Sequence, residues 1–237
     1  MADLLVLWDV DYTLLSADGL GTRLYEIVFR QLFGRELPAV APKAGRTDRA
    51  IISDTLALAG IPAPRTQVDR FLHALARQVA AVDGTMDAQV HSLDGAASAI
   101  AALVAVSSPE RQIRQSVLTG NIRPLAALKL AAAGLGGQLD LDAGAYGDAH
   151  EVRAELVGVA RRAARRAYGT DFAGSWTILV GDTPLDVEAA LATGARAVGV
   201  ATGSYSAADL VAAGAHAVLP DLTDPAAVLT AVIAERS

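Results

Sequence analysis

The sequence predicts an α/β fold, a largely parallel sheet with helices on both faces, interrupted near its start by an all-helical block. Three observations predict it. Apolar runs of strand length, Leu4 to Trp8 and Trp176 to Val180, each lead into an aspartate. Segments with apolar residues at helical spacing alternate with such runs through the second half of the chain. Residues from about 20 to 83 carry helical periodicity alone.

In order, the first strand ends at Asp9 and Asp11, and Ser16, Ala17, Asp18 and Gly19 read as a turn. Leu20, Leu24, Ile27, Val28 and Leu32 form a helical stripe that stops before Gly34, and Pro38, Pro42 and Gly45 interrupt the next stretch. Thr47 or Asp48 caps a helix carrying Ile51, Ile52, Thr55 and Leu56, with Gly60 as the stop. A third helix follows Pro64, with Val68, Phe71, Leu72, Leu75 and Val79 on one face.

Beyond Asp94 the pattern becomes mixed. Ala96 to Val106 reads as a helix, Ser116 to Thr119 as a short strand ending at Gly120 and Asn121, and Pro124 to Ala133 as a helix. A weak strand is expected near Leu139 to Tyr146, then a long helix from Glu151 to Tyr168 and the strong strand ending at Gly181 and Asp182. Pro184 suits the first turn of a helix that Gly194 terminates, and strands at Ala197 to Val200 and Ala217 to Leu219 complete the series. In such sheets ligands bind beyond the carboxyl ends of the strands, where Asp9, Thr119 and Asp182 all fall.

Composition narrows the chemistry. With 237 residues the chain suits one domain or, preferably, a core plus a small insertion. Aromatic residues are 5% against 52% hydrophobic overall, so the core rests on Ala, Val, Leu and Ile. A net charge of −6 argues against nucleic acid as the partner, because phosphate-backbone affinity needs a basic surface. The absence of cysteine removes disulfides, thiol catalysis and thiolate metal sites, and with four histidines the carboxylates are the main ligand supply. No secretory signal and no apolar span of membrane length are visible, so a cytoplasmic protein without membrane association is expected.

Two acidic clusters at strand ends carry the site. Asp9 and Asp11 are separated by one residue, with Thr13 two positions on; Gly181-Asp182-Thr183-Pro184-Leu185-Asp186 supplies the second. Taken singly, either is an ordinary turn or helix cap. Together they concentrate negative charge that a divalent cation would neutralise, and oxygen-only ligation favours Mg²⁺.

The Asp-x-Asp-x-Thr run at Asp9, Thr119-Gly120-Asn121 at the second strand, a basic residue on a later helix and Gly-Asp-x-x-x-Asp at Gly181 together resemble the haloacid dehalogenase superfamily, over nearly the whole chain. The branch indicated is that of phosphoglycolate phosphatase and beta-phosphoglucomutase, and it implies a Rossmann-like three-layer core, residues 1–16 and 88–237, with a helical cap at 17–87. The resemblance implies that Asp9 is the nucleophile, Asp11 the general acid and base, and Thr119 with Gly120 and Asn121 the phosphoryl cradle. It implies Mg²⁺ on Asp9, the Asp11 carbonyl and Asp182, with Thr13 and Asp186 in support.

For the cation facing the phosphate, Arg153 stands where the family more often has lysine; Lys129 is the rival. Tyr12 replaces a usual glycine, and Trp8 a common phenylalanine. Gly45-Arg46-Thr47-Asp48 resembles the cap loop that meets substrate, making Arg46 and Thr47 specificity candidates beside their plain reading as a helix start. His150 is a minor site candidate, Thr202-Gly203-Ser204 a possible bordering loop, and Arg161, Arg162, Arg165 and Arg166 a solvated helix face. The implied activity is hydrolysis of a small phosphorylated metabolite by a monomer or homodimer. The alternatives are a phosphomutase of the same family and a catalytically silent binding protein.

Overall fold

The computed structural model describes residues 3–82 and 90–233. Its centre is a five-stranded parallel sheet in the order β4-β1-β5-β6-β7, formed by β1 (Leu4–Trp8), β4 (Ile113–Val117), β5 (Thr177–Gly181), β6 (Arg196–Val200) and β7 (Ala217–Leu219). All five residues of β1 are buried. Leu4, Val6 and Trp8 join one apolar cluster and Leu5 and Leu7 the other, so the period-two alternation of the strand serves two faces, both covered. Each of these side chains contributes about 2 kcal/mol by leaving water.

The Leu5 and Leu7 face is covered by α6 (Arg153–Tyr168), α7 (Pro184–Ala192) and Leu210 of α8 (Ala207–Ala212). The opposite face meets α4 (Ala96–Ala105), α5 (Arg123–Ala132) and α9 (Pro225–Ile233). Parallel register places Trp8 beside both Val117 and Val180. The residues that follow these three strands therefore emerge side by side at one edge of the sheet.

The expected helical block is α1 (Leu20–Phe33), α2 (Asp48–Leu58) and α3 (Arg65–Ala80). Its buried stripes, including Leu24, Phe29, Ile52 and Phe71, belong to the same cluster as Leu4, Val6 and Trp8. Gly34 ends α1 in the left-handed region at φ 67°, donating its N–H to the Arg30 carbonyl. Thr47 begins α2 by accepting from the Ala50 N–H, which settles the capping choice in its favour over Asp48.

Three local expectations are corrected. Ser16 and Ala17 are not in a turn: Leu15–Ala17 is a strand, β2, paired antiparallel with β3 (Val90–Ser92). This short ribbon frames the entry to and return from the helices. The strand expected at Ser116 to Thr119 lies earlier, at Ile113–Val117, because polar Arg114 and Gln115 sit within it and hide its start. Leu139 to Tyr146 is a turn with only an isolated bridge from Ala145 to Leu118. There the Asp140 carboxylate accepts from the Asp142 and Ala143 N–H groups, a local geometry that competes with strand pairing. Among the described residues no helix is long and apolar enough to cross a membrane.

Candidate active site

The chain leaves β1 at Asp9, whose N–H donates to the Val180 carbonyl, and then turns at Tyr12. Tyr12 has φ 59°, the only positive value among described residues other than glycine. The glycine usual at this position is thus explained by the backbone, and Tyr12 adopts the strained conformation with its hydroxyl on the Asp18 carboxylate at 2.9 Å. The turn brings Asp11 back toward Thr119 and Asn121 while Asp9 stays over the sheet edge.

Asp9, Asp182 and Asp186 are all buried and offer oxygens within 4.8 Å of one another. Arg153, at the start of α6 and 6% exposed, reaches them through one nitrogen, Nη2, 2.9 Å from Asp9 Oδ1 and 2.6 Å from Asp186 Oδ1. The other Asp186 oxygen accepts from the Thr183 N–H and hydroxyl in a capping box at the start of α7. Both Asp186 oxygens are therefore engaged. Asp182 is braced by the Thr13 hydroxyl, which donates to Oδ1 at 3.4 Å, and Gly203 packs against its other oxygen, where a Cβ would sit 1.9 Å from Oδ2.

One guanidinium against three buried carboxylates leaves the cluster short of positive charge. Burial pushes Asp9 up to about 7, against the pull of Arg153 and aided by Asp186 and Asp11. Burial and the neighbouring Asp9 and Asp186 push Asp182 up to about 8. A hard divalent cation bound by oxygens fits this donor set and its charge deficit.

Asp11 behaves oppositely. Burial acts to raise it, but the Lys129 charge and hydrogen bonds from Asn121 and Lys129 hold it below the usual carboxylate range. Lys129 Nζ, from α5, lies 2.8 Å from both Asp11 oxygens and 2.9 Å from Asn121 Oδ1. Arg153 and Lys129 are thus both in the site and divide it, one beside Asp9 and the other beside Asp11. Thr119 Oγ1 accepts from Asn121 through its N–H at 3.2 Å and side-chain amide at 2.8 Å, which leaves the hydroxyl hydrogen to donate elsewhere.

These groups line a cavity of about 280 Å³ between the sheet edge and the helical block. The block is seated on the core by backbone contacts at the start of α2: the Asp48 N–H donates to the Gly120 carbonyl at 2.7 Å and the Arg49 N–H to the Gly147 carbonyl at 3.0 Å. Only glycine permits this approach, because a Cβ on Gly147 would sit 1.7 Å from the Gly120 oxygen and one on Gly120 would sit 1.9 Å from the Arg46 oxygen. Arg153 also donates to the Gly45 carbonyl at 3.2 Å, tying the cation to the loop before α2.

Arg46 reaches the cavity wall, but its guanidinium is engaged by Asp54 at 2.6 Å and by the Pro42 carbonyl. The Thr47 hydroxyl caps α2 and donates to the Glu151 carbonyl. His150 stands outside the cavity lining, its Nδ1 accepting from the Val152 N–H. The loop after β6 does border the site, through Ser204 and Tyr205. Arg161 is no solvated charge: its guanidinium holds Thr177 Oγ1 and the Gly174 and Thr193 carbonyls.

Sequence reasoning missed Lys43, which lines the cavity from a proline-bearing connection with no motif around it. It also missed the buried carboxylate of Asp48, held by the Tyr25 hydroxyl at 2.6 Å and the Ile122 N–H at 2.8 Å. Neither pairing leaves a spacing signal.

A parallel sheet with carboxylates gathered at its carboxyl edge defines an α/β protein with a hydrolase-type acidic centre. A family model described as haloacid dehalogenase-like hydrolase matches residues 6–191, and the chain belongs to that family. No curated protein sequence matches it. Solved structures similar to it include a hydrolase from Pseudomonas syringae, 19% identical with TM-score 0.62, covering 94% of this chain and 95% of that one. CbbY from Rhodobacter sphaeroides in complex with phosphate is 19% identical with TM-score 0.62, covering 93% and 95%. A protein described as a predicted phosphatase from Clostridium acetobutylicum is 18% identical with TM-score 0.63, covering 92% and 94%.

Proposed function

We propose that the protein is a Mg²⁺-dependent phosphatase that hydrolyses a small phosphorylated metabolite through an aspartyl phosphate on Asp9, with residues 17–87 acting as a cap over the core. The observation that carries this reading is the division of the site into two carboxylates with separate cations, Asp9 beside Arg153 and Asp11 beside Lys129. The phosphate bound to the similar CbbY structure agrees with it.

Asp9 and Asp182 have oxygens to offer Mg²⁺, together with the Asp11 carbonyl, while Asp186, with both oxygens engaged, orients Arg153 and Thr183. When bound, Mg²⁺ supplies charge neutralisation between the anionic nucleophile and the anionic phosphoryl group. Arg153 fixes Asp9 by Oδ1, and the other oxygen forms the bond to phosphorus as the bond from phosphorus to the leaving oxygen breaks. The free hydroxyl hydrogen of Thr119 and the N–H of Gly120 donate to the transferring phosphoryl oxygens.

Asp11 delivers its proton to the leaving oxygen. Lys129 favours the carboxylate form of Asp11, and the arriving phosphate, adding negative charge beside it, shifts it toward protonation. In the second half Asp11, again a carboxylate paired with Lys129, takes a proton from water as that water attacks phosphorus and Asp9 departs. The block carrying α1 to α3 excludes bulk water from the cavity during both halves.

The test is hydrolysis of p-nitrophenyl phosphate with and without Mg²⁺. Turnover that requires Mg²⁺ and disappears in Asp9→Asn supports the reading. Wild-type protein inert toward this ester and a broad metabolite panel overturns it.

A further inference from the structure

Asp48 opens α2 directly after its Thr47 cap and is 6% exposed, on the wall where the helical block meets the core. An aspartate in a first helical turn ordinarily stays beside the N–H groups of its own helix, but this one is spent on its neighbours. One oxygen takes the Tyr25 hydroxyl of α1 at 2.6 Å, and the Tyr25 ring is itself set edge-on against Phe71 of α3, 5.5 Å between centroids. The other oxygen takes the Ile122 N–H of the core at 2.8 Å, while the Asp48 N–H donates to the Gly120 carbonyl at 2.7 Å. Asp48 therefore holds the core chain on both sides of Asn121.

Asn121 is buried and has every polar atom engaged. Its N–H and side-chain amide donate to Thr119 Oγ1 at 3.2 and 2.8 Å, and the amide also donates to Asp11 Oδ2 at 2.6 Å. Its amide oxygen accepts from Lys129 Nζ at 2.9 Å, and its backbone carbonyl from the Gly147 N–H at 2.9 Å. One side chain thus ties together the hydroxyl of the phosphoryl cradle, the proton-transfer carboxylate and the cation beside that carboxylate. A shift of the Asn121 peptide would misalign all three at once. We infer that Asp48 is a positioning residue for the reaction: from the helical block it fixes Gly120 and Ile122, and through Asn121 it sets Thr119 and Asp11. This inference rests on the phosphatase reading above and adds to it what holds the acid and the cradle in register.

The test compares p-nitrophenyl phosphate with phenyl phosphate in Mg²⁺, esters of similar shape whose leaving groups differ in their need for a proton from Asp11. The ratio of their kcat/KM values does not depend on the fraction of folded protein, so a purely structural defect leaves it at the wild-type value. Asp48→Ala is expected to lower kcat/KM about tenfold for p-nitrophenyl phosphate, through the cradle, and about a hundredfold for phenyl phosphate, so that the ratio widens about tenfold. Asp48→Asn keeps the shape, can accept from Ile122 through its amide oxygen and donate to Tyr25, and should recover most of both losses. Tyr25→Phe releases one side of the carboxylate while keeping the ring against Phe71, and should widen the ratio about threefold. A wild-type ratio in Asp48→Ala, or in Tyr25→Phe where Asp48→Ala does not fold, would overturn the inference while leaving the phosphatase standing. Wild-type protein inert toward both esters would overturn the phosphatase reading and the inference with it.

Discussion

Replacing Arg153 with methionine is the most informative single perturbation of the site. It keeps a long side chain and removes the charge shared by Asp9 and Asp186, both nearly inaccessible to solvent. Breaking a buried ion pair by removing one partner costs about 3 to 5 kcal/mol, because an uncompensated charge stays behind. Here Asp9 is already pushed up to about 7, so at neutral pH it takes up a proton and relieves part of that cost. The loss should therefore fall near 3 kcal/mol at pH 7 and grow as the solution is made more alkaline. For 237 residues the unfolding entropy is about 0.5 kcal/mol per kelvin, so 3 kcal/mol lowers Tm by roughly 6 °C. A protonated Asp9 is also no nucleophile, and kcat/KM should drop at least about a hundredfold. Arg153→Lys restores charge without the fork that spans Asp9, Asp186 and the Gly45 carbonyl, so it should recover part of both losses. Thermal melts at pH 7 and 8.5, with Mg²⁺-dependent hydrolysis in parallel, decide the matter. An Arg153→Met protein that melts within 2 °C of wild type, on the order of ΔΔG below 1 kcal/mol, and keeps most of its activity would refute this account of the cluster.

Other perturbations reach different parts of the site. Asp9 and Asp182, pushed up to about 7 and about 8, hold protons in the folded chain that the unfolded chain releases near its ordinary value of 3.8. Metal-free stability should therefore fall as pH rises from about 4 to about 8, and the stabilisation by Mg²⁺ should grow over the same window, as melts in EDTA and in Mg²⁺ would record. Lys129→Met removes the charge that holds Asp11 ionised, so the acid limb of phosphoenzyme hydrolysis, the step in which Asp11 acts as base, should move to higher pH and its maximum rate fall about a hundredfold; an unshifted limb would exclude Asp11 as the base. Gly147→Ala inserts a methyl 1.7 Å from the Gly120 oxygen, so the backbone contact under α2 must open, lowering stability by about 1 to 3 kcal/mol in denaturant titrations and activity with it.

The sheet was legible because its central strands β1 and β5 are apolar on both faces, a pattern that Leu4 to Trp8 and Ile178 to Val180 display without interruption. Gly34, Thr47, Pro184 and Gly194 marked helix ends by their own backbone preferences, so those boundaries were readable too. The ribbon of β2 and β3 was hidden because three-residue strands have too little periodicity to register, and their pairing joins residues more than seventy positions apart. Asp9, Asp11 and Asp182 were visible as strand-end acids. The choice between Arg153 and Lys129 was not, because separate helices bring both cations into the site from positions twenty-four residues apart, and only the fold shows that each has its own carboxylate. Lys43 left no trace in the sequence because it reaches the cavity wall from a proline-bearing connection with no motif around it.

The central claim, that Asp9 carries the phosphoryl group, is tested most directly by trapping it. An Asp11→Asn variant keeps the nucleophile but loses both the acid and the base, so with Mg²⁺ and p-nitrophenyl phosphate, whose phenolate leaves without a proton from Asp11, it should accumulate the covalent species. Acid quench followed by peptide mass spectrometry should then find one added phosphoryl group on the peptide containing Asp9, absent from Asp9→Asn. An unmodified Asp9 peptide under conditions where wild-type protein hydrolyses the same ester, or a phosphoryl group on another residue, would contradict the account.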